Sequence, residues 1–292
     1  MRITRIVLAA IAAFALLLTT AAAASAASRH YRHYVALGDS YTSGPLIPLP
    51  RLDPLGCFRS TNNYPSMLAI GLHVDRFTDI SCGGADTSNM TKPQNVPLGQ
   101  NAPQFSALRP DTDLVTVGIG GNDSALFGTL IDTCPGLRAS DPTGNPCQRH
   151  FTVDGVDTIK ALLPKTQASI QQVLAGIHAR SPHAKVLAIG YPRIAPASGY
   201  CPNVLPFANG DYAWLSSVEQ ALNAAVSGAV AADGKSSYVD TYRPSFGHDA
   251  CQKPGVAWIN GKDLNPLAAA PYHPLYAGMY GETQVIKQHL GA

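Results

Sequence analysis

Four short stretches of this chain place residues capable of acyl chemistry beside apolar runs. "VALGDS" closes on Ser40, "DISCGGADT" passes through Gly83 and Gly84, "TVGIGGND" ends in Gly120, Gly121, Asn122 and Asp123, and "APYHPLYAG" carries His273. If the first three leave neighbouring strands at one edge of a sheet, they bring together a hydroxyl, a permissive backbone N–H and a side-chain amide. Ester cleavage needs that set: the hydroxyl attacks the carbonyl carbon, and fixed donors stabilise the oxyanion that forms. Glycine suits a donor loop because it accepts positive φ and lets the main chain approach a substrate.

The reaction also needs a base, and nine histidines are available. His273 stands in a turn directly before a proline that suits a first helical turn, so the helix start would hold it while the ring points back over the sheet edge. His248 in "SFGHDAC" is the rival, with Asp249 beside it and Cys251 near enough to fix the loop. His178 and His183 flank a helix end and read as solvated. Asp39 and Asp123 read as carboxylates that bond loop backbone. "GIGG" lacks the third glycine of a dinucleotide fingerprint, because position 123 is Asp. The G-x-S-x-G serine elbow is absent too, since Thr42 stands two residues after Ser40.

A set of elements must bring these loops together. Near-continuous apolar runs predict strands at His33–Leu37, Phe77–Ile80, Leu114–Ile119, Lys185–Gly190 and Ser237–Asp240, several of them apolar enough to be buried on both faces of a parallel sheet. Helical patterns cover 64–73, 156–181 with a break or kink at Pro164, 211–233 and 273–290. Alternation of strands and helices implies βαβ units in a doubly wound α/β fold, with the site at the carboxyl ends of the strands. Loop composition marks 45–63, 134–151 and 194–210. The stretch 44–56 is apolar and proline-rich, and it reads either as a rigid surface loop or as one wall of an acyl groove.

The first residues set the compartment. "MRITR", the apolar run Ile6–Leu18 and the small residues after it form a secretory signal peptide over 1–27, with an A-x-A-like site at Ala24-Ser25-Ala26. The run is shorter than the roughly 20 residues a membrane span needs. A secreted, extracellular protein with no stable membrane anchor is expected, and residues 28–292 read as a single domain. The chain holds 21 Lys+Arg against 19 Asp+Glu, and a leader carrying Arg2 and Arg5 leaves the two in balance. That balance offers no electrostatic footprint for nucleic acid. Only 14% of residues are charged and 46% are hydrophobic, which suits a large core. Cys57, Cys82, Cys134, Cys147, Cys201 and Cys251 imply three disulfides with 15 connectivities open. Neighbour pairing (57–82, 134–147, 201–251) is the reading adopted, since each bridge then staples one loop-rich insertion. No C-x-x-C pair occurs, and a metal site is not expected.

Ser40 in "GDS", Gly84 in "CGGADT", Asn122 in "GGND" and His273 in "HP" occur in the order and spacing of the SGNH (GDSL) hydrolases, and the chain resembles that superfamily over essentially all of residues 28–292. "RSTNNYPSMLA" and the six cysteines are similar to its secreted, disulfide-bonded bacterial lipases and esterases. The resemblance implies a flavodoxin-like three-layer α/β/α sandwich around a five-stranded parallel sheet. It also implies Ser40 as nucleophile, His273 as general base, and an oxyanion hole of the Ser40 and Gly84 N–H groups with the Asn122 side chain. Two positions depart from the family. Tyr41 replaces the leucine of "GDSL", and Ala270 stands where an aspartate three residues before the histidine is usual. The Ala270 main-chain carbonyl is the expected orienter of His273, with Asp263 as the alternative. The expected activity is hydrolysis of acyl esters of lipids or acyl glycerols by a monomer without cofactor. A polysaccharide acetylesterase and a non-catalytic extracellular binding protein are the other readings.

Overall fold

The computed structural model describes residues 30–292, so the expected leader at 1–27 lies outside the described residues. Five strands, β1 (His33–Gly38), β2 (Arg76–Asp79), β3 (Leu114–Gly118), β4 (Lys185–Ile189) and β5 (Ser237–Val239), form one parallel sheet. Their order is β2-β1-β3-β4-β5. The register pairs Tyr34 with both Phe77 and Leu114, Thr116 with Leu187, and Ala188 with Tyr238. The chain reverses direction across the sheet at β1/β3, the switch point where such sheets form their crevice.

Strand periodicity divides the core in two. Tyr34 and Ala36 face the layer of α2 (Tyr64–Gly71) and α6 (Tyr276–Leu290), where Leu68, Met279 and Ile286 are buried. Val35 and Leu37 face the opposite layer, built from α4 (Leu163–Arg180) and α5 (Asp211–Asp233). Here Ile170, Leu174, Ile177 and Val226 are buried, each such side chain contributing about 1.5–3 kcal/mol. The result is the three-layer α/β/α sandwich. Asn63 caps α2 by accepting from the Ser66 N–H at 3.0 Å, with Pro65 in the first turn.

Several boundaries differ from the expectation. Pro164 does not kink a helix running from 156; it opens α4 at a position where its missing N–H costs nothing. The preceding residues form a two-residue hairpin, Thr152–Val153 with Val156–Asp157, and a tight turn at Lys160–Leu162. The last helix begins at Tyr276, leaving His273 in the loop before it. An additional helix, α3 (Leu126–Leu137), follows β3, and a short one spans Pro146–His150. The disulfides join Cys57 to Cys82, Cys134 to Cys147 and Cys201 to Cys251.

Candidate active site

The turn from β1 into the short helix α1 (Ser40–Ser43) is sharp because Gly38 has φ +153°. A Cβ there would sit 2.2 Å from Thr42 Oγ1 and 2.6 Å from the Gly118 carbonyl oxygen. Asp39 caps α1: its Oδ1 accepts from the Tyr41 N–H at 2.9 Å, and its carbonyl accepts from the Thr42 and Ser43 N–H groups. The Asp39 N–H donates to Gly118 O at 2.9 Å. Every N–H from 41 to 43 is therefore satisfied, while the Ser40 N–H has no acceptor among the described residues. It remains an open donor beside the Ser40 hydroxyl.

The second loop behaves alike. The N–H groups of Cys82, Gly83 and Ala85 donate to Gly38 O, Cys57 O and Cys82 O, and among the described residues only that of Gly84 in this turn finds no acceptor. Gly84 sits at φ +74°, in the region that favours glycine. The third loop delivers Asn122, whose Nδ2 donates one hydrogen to Ala85 O at 2.9 Å and keeps its second. Asp123 ties these two loops by accepting from the Thr87 N–H at 2.9 Å and the Thr87 hydroxyl at 2.8 Å. Asp39 and Asp123 thus hold loop backbone.

Two groups that hold the site were missed by the sequence reading. The Tyr191 hydroxyl donates to Asp39 Oδ2 at 2.5 Å and accepts from the Gly121 N–H at 2.9 Å, fastening the serine turn to the Gly-Gly-Asn loop. Burial pushes the Asp39 carboxyl up to about 7. Buried Gln104 clasps Gly38 with its amide: Oε1 accepts from the Gly38 N–H at 2.8 Å and Nε2 donates to Gly38 O at 2.9 Å. No sequence signal marks either residue, since both reach across from distant segments.

The His273 Nδ1 lies 2.7 Å from the Pro271 carbonyl oxygen. A carbonyl only accepts, so Nδ1 carries the hydrogen and Nε2 is the bare lone pair. This corrects the assignment of Ala270 as orienter. The Ala270 carbonyl closes a turn with the His273 N–H and accepts from Asn260 Nδ2, and Tyr272 at φ +60° swings the imidazole back onto Pro271 instead. Asp263 does not serve either; it is paired with Lys262 at 2.6 Å on the surface. The residue as a whole is half-buried, but the enclosed setting of the imidazole disfavours charge and holds it below its usual pKa. His248, the rival base, has the same kind of Nδ1 contact, 2.7 Å to the Val256 carbonyl, but its ring stacks on Trp258, whereas Tyr41 and Phe127, which line the Ser40 cavity, pack against His273.

His273 packs beside Tyr41, the residue after Ser40, with ring centroids 5.4 Å apart. No hydrogen bond joins Ser40 Oγ to the imidazole among the described residues; such bonds commonly tighten only when substrate arrives. Ser40, Asn122 and Tyr191 line a narrow cavity of about 70 Å³. Leu126, Phe127, Leu130 and Ile131 of α3 form one side of it, and Leu215, Val218 and Leu222 of α5 another. Glu219 also lines it; its carboxylate oxygens accept from the Ile194 and Ala195 N–H groups, and burial pushes the acid up to about 8. The apolar stretch 44–56 lines none of this cavity: Ile47 is buried under the sheet, while Leu49 and Leu52 point to solvent.

A family model described as "GDSL-like Lipase/Acylhydrolase family" matches residues 36–279. The chain is 42% identical to Lipase 2 of Streptomyces coelicolor over 246 residues, covering 82% of this chain and 80% of that one. It is 31% identical to a lipase of Streptomyces rimosus, covering 84% and 81% of the two chains. In structure it is similar to phospholipase A1 from Streptomyces albidoflavus, with a TM-score of 0.72, 27% identity and 88% and 99% of the chains covered. A carboxylic ester hydrolase on a flavodoxin-like sheet, this chain belongs to the GDSL-like lipase/acylhydrolase family.

Proposed function

We propose that Ser40 and His273 form a catalytic dyad that hydrolyses acyl esters of lipids. The observation that carries this reading is the cavity: Ser40 and Asn122 open onto a pocket walled by apolar side chains of α3 and α5, a lining that suits the hydrocarbon chain of a lipid acyl group. In the first step Ser40 Oγ attacks the ester carbonyl carbon while its proton passes to His273 Nε2. The carbonyl π pair moves onto oxygen, and the oxyanion accepts from the Ser40 and Gly84 N–H groups and the free hydrogen of Asn122 Nδ2. Collapse expels the alcohol, which takes the proton from His273, and leaves an acyl-serine. Water, deprotonated by the same imidazole, repeats the sequence and releases the fatty acid. The Pro271 carbonyl fixes the tautomer but carries no net charge, so it stabilises the imidazolium less than an aspartate would.

The rest of the reading follows from the chain. Residues 1–27 act as a secretory leader, and 28–292 work as one extracellular domain, as a monomer; the three disulfides suit an oxidising compartment. Among the described residues no helix is long and apolar enough to cross a membrane. The test is acyl specificity with p-nitrophenyl acetate, butyrate, decanoate and palmitate, together with a fluorophosphonate probe. Decanoate is expected to be cleaved, Ser40→Ala to abolish both turnover and labelling, and Asn122→Ala to lower kcat about 10²–10³-fold. Exclusive use of acetate overturns the lipid reading, and labelling that persists in Ser40→Ala overturns the nucleophile.

A further inference from the structure

A single hydrogen bond from Nδ1 does not fix an imidazole: the ring can still tilt about that bond and carry Nε2 away from the serine. Neutral Pro271 oxygen also leaves the imidazolium formed during proton transfer without a counter-charge. The structure surrounds His273 with something else. The Tyr41 ring lies against the imidazole at a centroid distance of 5.4 Å and an interplanar angle of 39°, and Phe127 meets it edge-on at 6.2 Å and 70°. Tyr41 is itself locked by near-perpendicular contacts with Tyr191 at 5.3 Å and Phe127 at 6.0 Å. Its hydroxyl donates to the Tyr272 carbonyl at 2.6 Å, bridging the helix that starts at Ser40 to the residue just before His273.

We propose that Tyr41 is a positioning residue that substitutes for the missing carboxylate: its hydroxyl pins the histidine loop to the nucleophile helix, and its ring sets the imidazole plane. The proposal rests on the Ser40–His273 reading above. The hydroxyl strap matters because Tyr272 holds a positive φ, a conformation that a non-glycine residue keeps only when its surroundings enforce it. The ring matters twice. It blocks tilting of the imidazole, and it stands 5.4 Å, centroid to centroid, from the ring that becomes a cation when Nε2 takes the proton from Ser40 Oγ. An aromatic face within about 6 Å of a cation attracts it. Leucine at this position offers neither the hydroxyl nor the aromatic ring.

The experiment compares Tyr41→Phe, Tyr41→Leu, Ser40→Ala and His273→Ala on p-nitrophenyl acetate and decanoate, with thermal melting of each. Acetate is the probe because its acyl group is the smallest of the series and offers the least surface to the cavity walls. Loss of the hydroxyl alone is expected to lower kcat about 3–10-fold. Loss of the ring as well should bring the fall to about 100-fold, with KM for acetate unchanged, so that Phe recovers most of what Leu loses. A wild-type kcat on acetate for Tyr41→Leu, with Ser40→Ala and His273→Ala dead, overturns the positioning role and leaves the dyad standing. A loss confined to decanoate and expressed in KM also overturns it, since Tyr41 would then be only a cavity wall. Activity surviving in His273→Ala strikes the dyad itself. If Tyr41→Leu does not fold, the kcat of Tyr41→Phe on acetate decides alone.

Discussion

At His273 the hydrogen bond to the Pro271 carbonyl assigns the proton to Nδ1 and leaves Nε2 as the bare lone pair that the proposed dyad requires. Burial disfavours the imidazolium, so the folded-state pKa lies below the ordinary histidine value of about 6.5. The sign is then fixed: a base that must be neutral stays competent to lower pH when its pKa is depressed. The acid limb of kcat/KM on p-nitrophenyl acetate is expected to have its midpoint below about pH 6.5, falling about tenfold per unit beneath it. A midpoint at or above that value would mean that the imidazole is solvated or that another group is the base. The serine, the glycine, the asparagine and the histidine are legible in the sequence because each sits at a strand end or beside a helix start, where local residue types carry the message. The Pro271 carbonyl was not legible: which oxygen faces Nδ1 depends on the positive φ of Tyr272, and nothing in "APYHP" announces that.

At the scale of elements, α3 and α5 decide what the site can hold. The helix α5 was readable from end to end, since its apolar positions recur at helical spacing without a proline, and Gly210 and Gly234 stand just outside it as end signals. The helix α3 was not, because Gly128, Pro135 and Gly136 give "LFGTLIDTCPGL" a loop-like composition. Its signal was the spacing of Leu126, Leu130 and Cys134, all buried on one side. Of the two readings open for the apolar stretch after Ser40, a surface loop or a groove wall, the structure fits the loop, and the proposed acyl wall is the helix that follows Asn122. Leu130 points from α3 into the cavity, and a larger ring there should fill its far part. Leu130→Trp is expected to lower the decanoate-to-acetate ratio of kcat/KM about tenfold or more while acetate hydrolysis stays within about threefold, with an overpacking cost of about 1–3 kcal/mol read from the melting curve. An unchanged ratio would mean that the acyl chain leaves the serine in another direction.

Across the whole molecule the sheet fixes the loop origins, and the disulfides keep the loops from drifting. Cys57–Cys82 joins the loop after α1 to the loop after β2, so it holds the Ser40 and Gly84 segments together, helped by the Gly83 N–H donating to Cys57 O at 2.9 Å. Cys201–Cys251 joins the loops after β4 and β5, and Cys134–Cys147 closes a local excursion beyond α3. The sequence separations are 50, 25 and 13 residues for 201–251, 57–82 and 134–147. Loop-closure entropy in the unfolded chain then ranks their contributions at about 4, 3.5 and 3 kcal/mol. Paired Cys→Ala variants measured by denaturant unfolding should follow that order. Activity should follow a different one: removal of 57–82 is expected to cost the most turnover at a temperature where all three variants remain folded, because that bridge alone ties the chain leaving the Ser40 helix to the Gly84 turn, the two segments proposed to supply backbone oxyanion donors. A 134–147 variant that loses more activity than the 57–82 variant would place the weak point of the site in α3 and not between the serine and glycine loops.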